Sequence, residues 1–118
     1  KYHWENQDEI RVYKKKYRKE NSDKIKNRTL QKTFGITLDE YNIMFDNQNG
    51  CCAICNKPET ARNKVSGAIL MLAVDHCHIT GKVRGLLCGT HNPALGAFGD
   101  SIEQLQNAID YLKKYENR

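Results

Sequence analysis

Val74-Asp75-His76-Cys77-His78 lies between two pairs of metal-type ligands. Upstream stands Cys52-Ala53-Ile54-Cys55; downstream stands Cys88-Gly89-Thr90-His91, followed at once by Asn92. Either pair alone is ordinary. Together they set a metal-holding knuckle at each end of one segment, and the 32 residues between Cys55 and Cys88 leave room for a hairpin. Zn²⁺ favours four tetrahedral sulfur or nitrogen ligands, and a closed set of four marks a structural site. Cys52, Cys55 and Cys88 offer thiolates, and His91 offers a ring nitrogen. Two matched two-residue gaps weigh against chance burial of cysteines, and no βαβ pattern surrounds the Cys-x-x-Cys to suggest a redox motif. Cys51 and Cys77 are left over. Cys51 can replace Cys52 only by altering the knuckle spacing.

The elements follow outward from this stretch. Residues 68–74 are an apolar run with β-type side chains, bounded by Gly67 and Asp75, and read as a strand. Thr80-Gly81-Lys82 reads as a turn, and residues 82–87 as the returning strand of a hairpin. A short helix is expected to start near residues 90–93, with Pro93 in its first turn, and Gly96 and Gly99 break it. The order is strand, strand, helix, with Asp75, His76 and Asn92 gathered at its mouth. Further upstream, Thr37-Leu38-Asp39-Glu40 is a capping box. It opens a helix whose core face carries Leu38, Tyr41, Met44, Phe45 and Gln48, stopped by Asn49-Gly50. Downstream, Ser101-Ile102-Glu103-Gln104 opens a last helix with Ile102, Leu105, Ala108, Ile109 and Leu112 on one face.

Charge is distributed unevenly. Residues 1–32 hold 11 Lys/Arg against 5 Asp/Glu, while residues 33–118 hold 8 against 9, so the whole net charge of +5 resides in the N-terminal arm. Residues 5–32 lack Gly and Pro and are rich in good helix formers. They read as a helical arm, broken near Asn21-Ser22-Asp23, where Ser22 or Asp23 can cap a second helix. Such a basic segment is the electrostatic footprint of a phosphate-backbone partner. Lys14, Lys15, Lys16 and Arg18 are its candidate DNA contacts, joined by Lys82 and Arg84 on the return strand. The length of 118 residues suggests a basic arm over residues 1–33 and one domain over residues 34–118. An odd count of five cysteines and the absence of a secretory apolar segment point to a reducing compartment. No apolar run approaches the length of a membrane span. The chain begins at Lys1 rather than Met, which fits a fragment of a longer protein.

The central cluster has the chemistry for phosphodiester hydrolysis. That reaction needs an activated water and stabilisation of the phosphorane and the leaving oxygen, which a divalent ion supplies. The Asp75 carboxylate and the Asn92 amide are hard oxygen donors that suit Mg²⁺ or Mn²⁺. His76 is placed to take the proton from water as general base, because imidazoles titrate near neutral pH. His78 binds the phosphate, orients His76 or joins the metal shell. Arg84 is suited to phosphate through its planar fork. Asn92 directly follows ligand His91, so a zinc knuckle would fix where Asn92 stands against the hairpin.

At these residues the chain resembles the phage recombination endonuclease VII family, a branch of the HNH or His-Me finger (ββα-metal) nucleases. The resemblance spans roughly residues 33–96. It is densest at Cys52-Ala53-Ile54-Cys55, Val74-Asp75-His76-Cys77-His78, Gly81-Lys82-Val83-Arg84-Gly85-Leu86-Leu87-Cys88 and Asn92-Pro93-Ala94-Leu95-Gly96. It implies an α+β fold: a small zinc-stabilised ββα-metal core with flanking helices and a basic N-terminal helical arm. It implies metal-dependent DNA cleavage, with Asp75 and Asn92 on the catalytic ion, His76 as base and a structural zinc on the two pairs. It also implies a phage-encoded protein acting in the cytoplasm of a bacterial host. The family pattern usually has Cys where this chain has His91, and a Cys₃His set still holds zinc. Some members resolve four-way junctions as intertwined dimers and related enzymes nick or cut duplexes, so a homodimer stays open. The competing reading is a zinc-stabilised DNA-binding module without catalysis.

Overall fold

The structure, a computed structural model, describes residues 7–116. Residues 1–6 of the expected arm, and residues 117–118, lie outside the described residues. Among the described residues the chain is α+β, with four α-helices and one two-stranded sheet. It divides into two compact units, Lys1–Met44 and Phe45–Arg118.

In the first unit, α1 runs from Gln7–Phe34 without interruption, so the expected break near Asn21-Ser22-Asp23 does not occur. An interior Asn, Ser or Asp costs only about 0.5 kcal/mol relative to Ala, and the Lys, Arg and Glu on either side keep helix propagation favourable. Asp8 and Glu9 in its first turn and Lys32 in its last complement the helix dipole. Gly35 ends it at φ +73, with its N–H on the Gln31 carbonyl at 3.0 Å, the left-handed exit that glycine adopts without strain. Of the described α1 residues only Leu30 is buried. α2, Leu38–Asn47, opens with the expected reciprocal cap. The Glu40 N–H donates to Thr37 Oγ1 at 3.1 Å, and the Thr37 N–H donates to Glu40 Oε1 at 3.0 Å. A further first-turn donor, the Leu38 N–H, is satisfied by Asn27 Oδ1 of α1 at 2.8 Å. On the expected core face of α2, Tyr41 is buried, while Leu38 and Met44 are half-buried.

In the second unit, β1 (Ala73–His76) pairs antiparallel with β2 (Val83–Leu87). Asp75 faces Gly85 and His76 faces Val83, so Arg84 is the extra residue of a β-bulge. The first strand is shorter than the apolar run suggested. Residues 68–72 stay outside the sheet, because their backbone is already engaged in a local loop. Arg62 and Ile69 form an isolated bridge, the Leu70 N–H donates to the Ala61 carbonyl at 2.8 Å, and Asn63 Oδ1 accepts the N–H groups of Val65 and Ser66. Ile69, Leu70 and Met71 are accordingly exposed. The core of this unit is Cys52, Leu72, Val74, Leu86, Leu87 and Cys88. α3, His91–Ala97, follows the second knuckle with Pro93 in its first turn, and Gly99 (φ +63) and Asp100 (φ +54) turn the chain into α4, Ile102–Lys114. Ser101 caps α4 by accepting the Gln104 N–H at 3.1 Å. Leu105 and Ala108 of α4 are half-buried, while Ile102, Ile109 and Leu112 are exposed. No described helix is long and apolar enough to cross a membrane.

Candidate functional site

The two knuckles meet. One ligand atom each from Cys52, Cys55, Cys88 and His91 lies within 4.8 Å of the others. Four ligands about 2.3 Å from a tetrahedral Zn²⁺ stand roughly 3.8 Å apart, so the donor set and its spacing fit that ion. His91 turns Nδ1 inward, 3.1 Å from Cys88 Sγ. Cys52 is almost wholly buried. Burial pushes its thiol up, but the N–H groups of Cys55, Cys88 and Ile54 around its sulfur outweigh that and bring it down to about 6. At Cys55 the Lys57 N–H pulls the thiol down, yet burial and the sulfurs of Cys52 and Cys88 prevail and push it up. Part of the rise at Cys55 comes from the negative charge of the Cys52 sulfur, a repulsion that a bound dication would relieve.

Two polar side chains brace the knuckles. Gln48, at the end of α2, donates to the carbonyls of Cys51 (2.8 Å) and Leu86 (2.9 Å) and accepts the Leu86 N–H (3.0 Å). It therefore ties the first knuckle to β2, and the residue expected on an apolar stripe is a polar clamp. Glu59 accepts the Gly89 N–H at 2.7 Å and the N–H groups of Thr60 and Ala61. Those bonds, Gly89 foremost, hold its carboxyl below the ordinary range.

Toward the turn end of the hairpin, where it faces Gly85, Asp75 is buried. Arg84 grips it with a two-pronged fork, Nε to Oδ2 at 2.7 Å and Nη2 to Oδ1 at 3.0 Å. The bulge at Arg84 accounts for this meeting, since it re-aims that side chain relative to the regular ladder. The same Nη2 donates to Asp100 Oδ2 at 3.3 Å, and His78 Nε2 lies 3.9 Å from that oxygen. The hydrogen bonds it donates to Asp75 and the charges of both carboxylates raise the Arg84 guanidinium above its ordinary value and hold it protonated. The His76 and His78 rings stand 5.0 Å apart. A cavity of about 500 Å³ opens here, lined by Cys77, His78, Ile79, Arg84, Gly96, Gly99 and Asp100. Asn92 is the second residue of α3, its N–H on the Cys88 carbonyl at 3.0 Å, so its backbone is bound to a cluster residue. Lys82 is exposed at the turn before β2, and Lys14, Lys15, Lys16 and Arg18 are exposed on α1.

The expected phosphate ligand Arg84 thus meets two carboxylates, one of them the expected metal ligand. Asp100 and Glu59 escaped the sequence reading, which took Gln48 only as part of a core face. Gly99-Asp100 ahead of a helix cap reads as turn chemistry, and nothing in the spacing of Glu59 or Gln48 signals a bond to a residue 30 or 38 positions away.

Comparison with known proteins agrees with the motif pattern. The Gene 59 protein of Mycobacterium phage D29 is 47% identical over 83 residues, covering 70% of this chain and 46% of that protein. The Gene 59 protein of Mycobacterium phage L5 is 43% identical over 81 residues, covering 68% of this chain and 45% of that protein. The chain spans about half the length of these curated relatives. No solved structure matches it. Recombination endonuclease VII matches residues 27–114, and on that match, together with the knuckle and hairpin motifs it contains, the chain belongs to the recombination endonuclease VII family.

Proposed function

We propose that the protein is a metal-dependent DNA endonuclease of the ββα-metal (HNH, His-Me finger) type, acting in the cytoplasm of a phage-infected bacterium. Its carrying observation is that one Cys₃His cluster joins the Cys52–Cys55 knuckle, which precedes the hairpin, to the end of β2 and the start of α3. That cluster fits a structural zinc, and it would hold Asp75 and His76 on β1 and Asn92 on α3 to one frame. Asp75 and Asn92 would hold Mg²⁺ or Mn²⁺, which supplies charge stabilisation for the phosphorane and the leaving oxygen. His76 takes the proton from the attacking water at its ring nitrogen. His78 and Arg84 line the cavity and bind the scissile phosphate. The exposed cations of α1 hold the DNA backbone, to which they are suited by charge and not by sequence readout.

The test compares wild type and His76→Ala on matched four-way-junction, nicked and linear duplex DNA, with Mg²⁺ and with EDTA. Wild type should cut only with the cation. The variant should bind equally and cut at least about 10²-fold more slowly, the usual contribution of a general base. Junction preference would mark a resolving enzyme, which needs two copies at a branch, and sedimentation would show them. Equal cutting of all forms would mark a nicking or general nuclease.

A second reading, a zinc-stabilised DNA-binding module without catalysis, draws on the Arg84 fork that engages both oxygens of Asp75. It requires wild type to bind DNA and cut nothing with any divalent ion.

A further inference from the structure

Two cations compete for Asp75 if the proposed site is right. The carboxylate is buried, and Arg84 now occupies its two oxygens at 2.7 and 3.0 Å. A buried carboxylate without a partner is costly, so the fork offsets the burial of Asp75 and holds its side chain in place. A dication on the same group would sit a few ångströms from the guanidinium, where like charges in a poorly solvated site repel strongly. Arg84 therefore has to leave before a dication settles.

The place it goes to is already built. Asp100 Oδ2 lies 3.3 Å from Arg84 Nη2, so the guanidinium can pivot about a bond it already makes. Asp100 is fixed by its own N–H on the Leu95 carbonyl at 3.0 Å, and it holds a left-handed φ of +54 that Asp tolerates better than most residues. The cavity of about 500 Å³ in front of Asp100 gives the side chain room. Arg84 is also the bulged residue of β2, opposite no β1 partner, so turning its side chain breaks no cross-strand pair.

We infer that Arg84 is a placeholder cation on Asp75 that yields to a divalent ion and passes to Asp100, where it faces the cavity. Asp100 is then a positioning residue: it catches the displaced guanidinium and aims it at a phosphate. The inference rests on the proposed cation site at Asp75.

The experiment is a titration of the zinc-loaded full chain with Mn²⁺, without DNA, read by electron paramagnetic resonance. Wild type is compared with Arg84→Lys, Arg84→Gln, Asp100→Asn and Asp75→Asn, each checked by circular dichroism. Arg84→Lys keeps the charge and loses the fork, and it decides the outcome if Arg84→Gln fails to fold. Both Arg84 variants should bind Mn²⁺ about tenfold tighter than wild type. Asp100→Asn should bind more weakly, because Arg84 then has no second carboxylate. Tightening in Arg84→Gln alone would reduce the effect to net charge and overturn the exchange, as would no tightening in Arg84→Lys. If those variants match wild type while Asp75→Asn abolishes binding, only the exchange falls. If Asp75→Asn binds as wild type does, the proposed cation site itself falls.

Discussion

At the scale of the residue, the second knuckle depends on one carboxylate that has no ligand role. Glu59 holds the Gly89 N–H inside the Cys88–His91 turn at 2.7 Å, and its carboxyl is held below the ordinary value chiefly by that bond. A depressed carboxyl contributes stability that is fully present above the unfolded value of about 4.3, and that is lost as pH falls through the lower folded value. Glu59→Gln should therefore be less stable than wild type at neutral pH, and the gap should close as pH falls below about 4. Paired thermal melts from pH 7 to pH 3 measure this, and acid loss of zinc common to both proteins cancels in the difference. A gap independent of pH would mean that the charge of Glu59 has no part. The residues of the Cys₃His cluster were legible as a group, because metal chemistry demands particular side chains at short fixed gaps. Glu59 was not legible, since a carboxylate that accepts backbone bonds looks like any surface acid until the chain has folded.

At the scale of the element, the caps at Thr37 and Ser101 and the exits at Gly35 and Gly99 follow local rules and were read correctly, whereas Gly96, expected to break α3, lies inside it. Thr37 with Glu40, Ser101 with Gln104, and the glycine exits need only neighbours three or four residues away. Strand length did not follow local rules. Residues 68–72 have strand-like side chains, but Asn63 and Ala61 engage the backbone of that loop first. α1 likewise ignores a weak capping signal at Ser22, because its strong flanks carry the helix through. Within the second unit the Gln48 amide takes the place of a strand neighbour for Leu86. Leu86 is fully buried. Gln48→Ala leaves its N–H without that partner and should cost about 1–3 kcal/mol. Urea unfolding of the zinc-loaded protein gives the number, and a loss under about 0.5 kcal/mol would show that water substitutes for the clamp.

At the scale of the whole molecule, the metal is expected to govern whether the second unit folds. Its buried apolar set is small: Leu72, Val74, Leu86 and Leu87, besides two cysteines of the cluster. Binding of zinc to such ligand sets releases about 10–16 kcal/mol, comparable to the whole stability of a typical domain at about 5–15 kcal/mol. Chelation should thus abolish the cooperative melt of this unit, whereas EDTA-resistant folding with unchanged circular dichroism would refute a structural zinc. What the sequence determined by itself is what depends on residue type and short spacing: the four residues of the Cys₃His cluster, the caps at Thr37 and Ser101, the hairpin turn and the charge of the arm. What only the tertiary structure decided is which distant polar groups meet. Arg84 pairs with Asp75 and Asp100 rather than with open solvent, and a bulge of a single residue directs it there. The physical reason is that a salt bridge or buried hydrogen bond depends on distances of a few ångströms between residues far apart in the chain. Such distances follow from strand register and helix entry, and no local pattern encodes them.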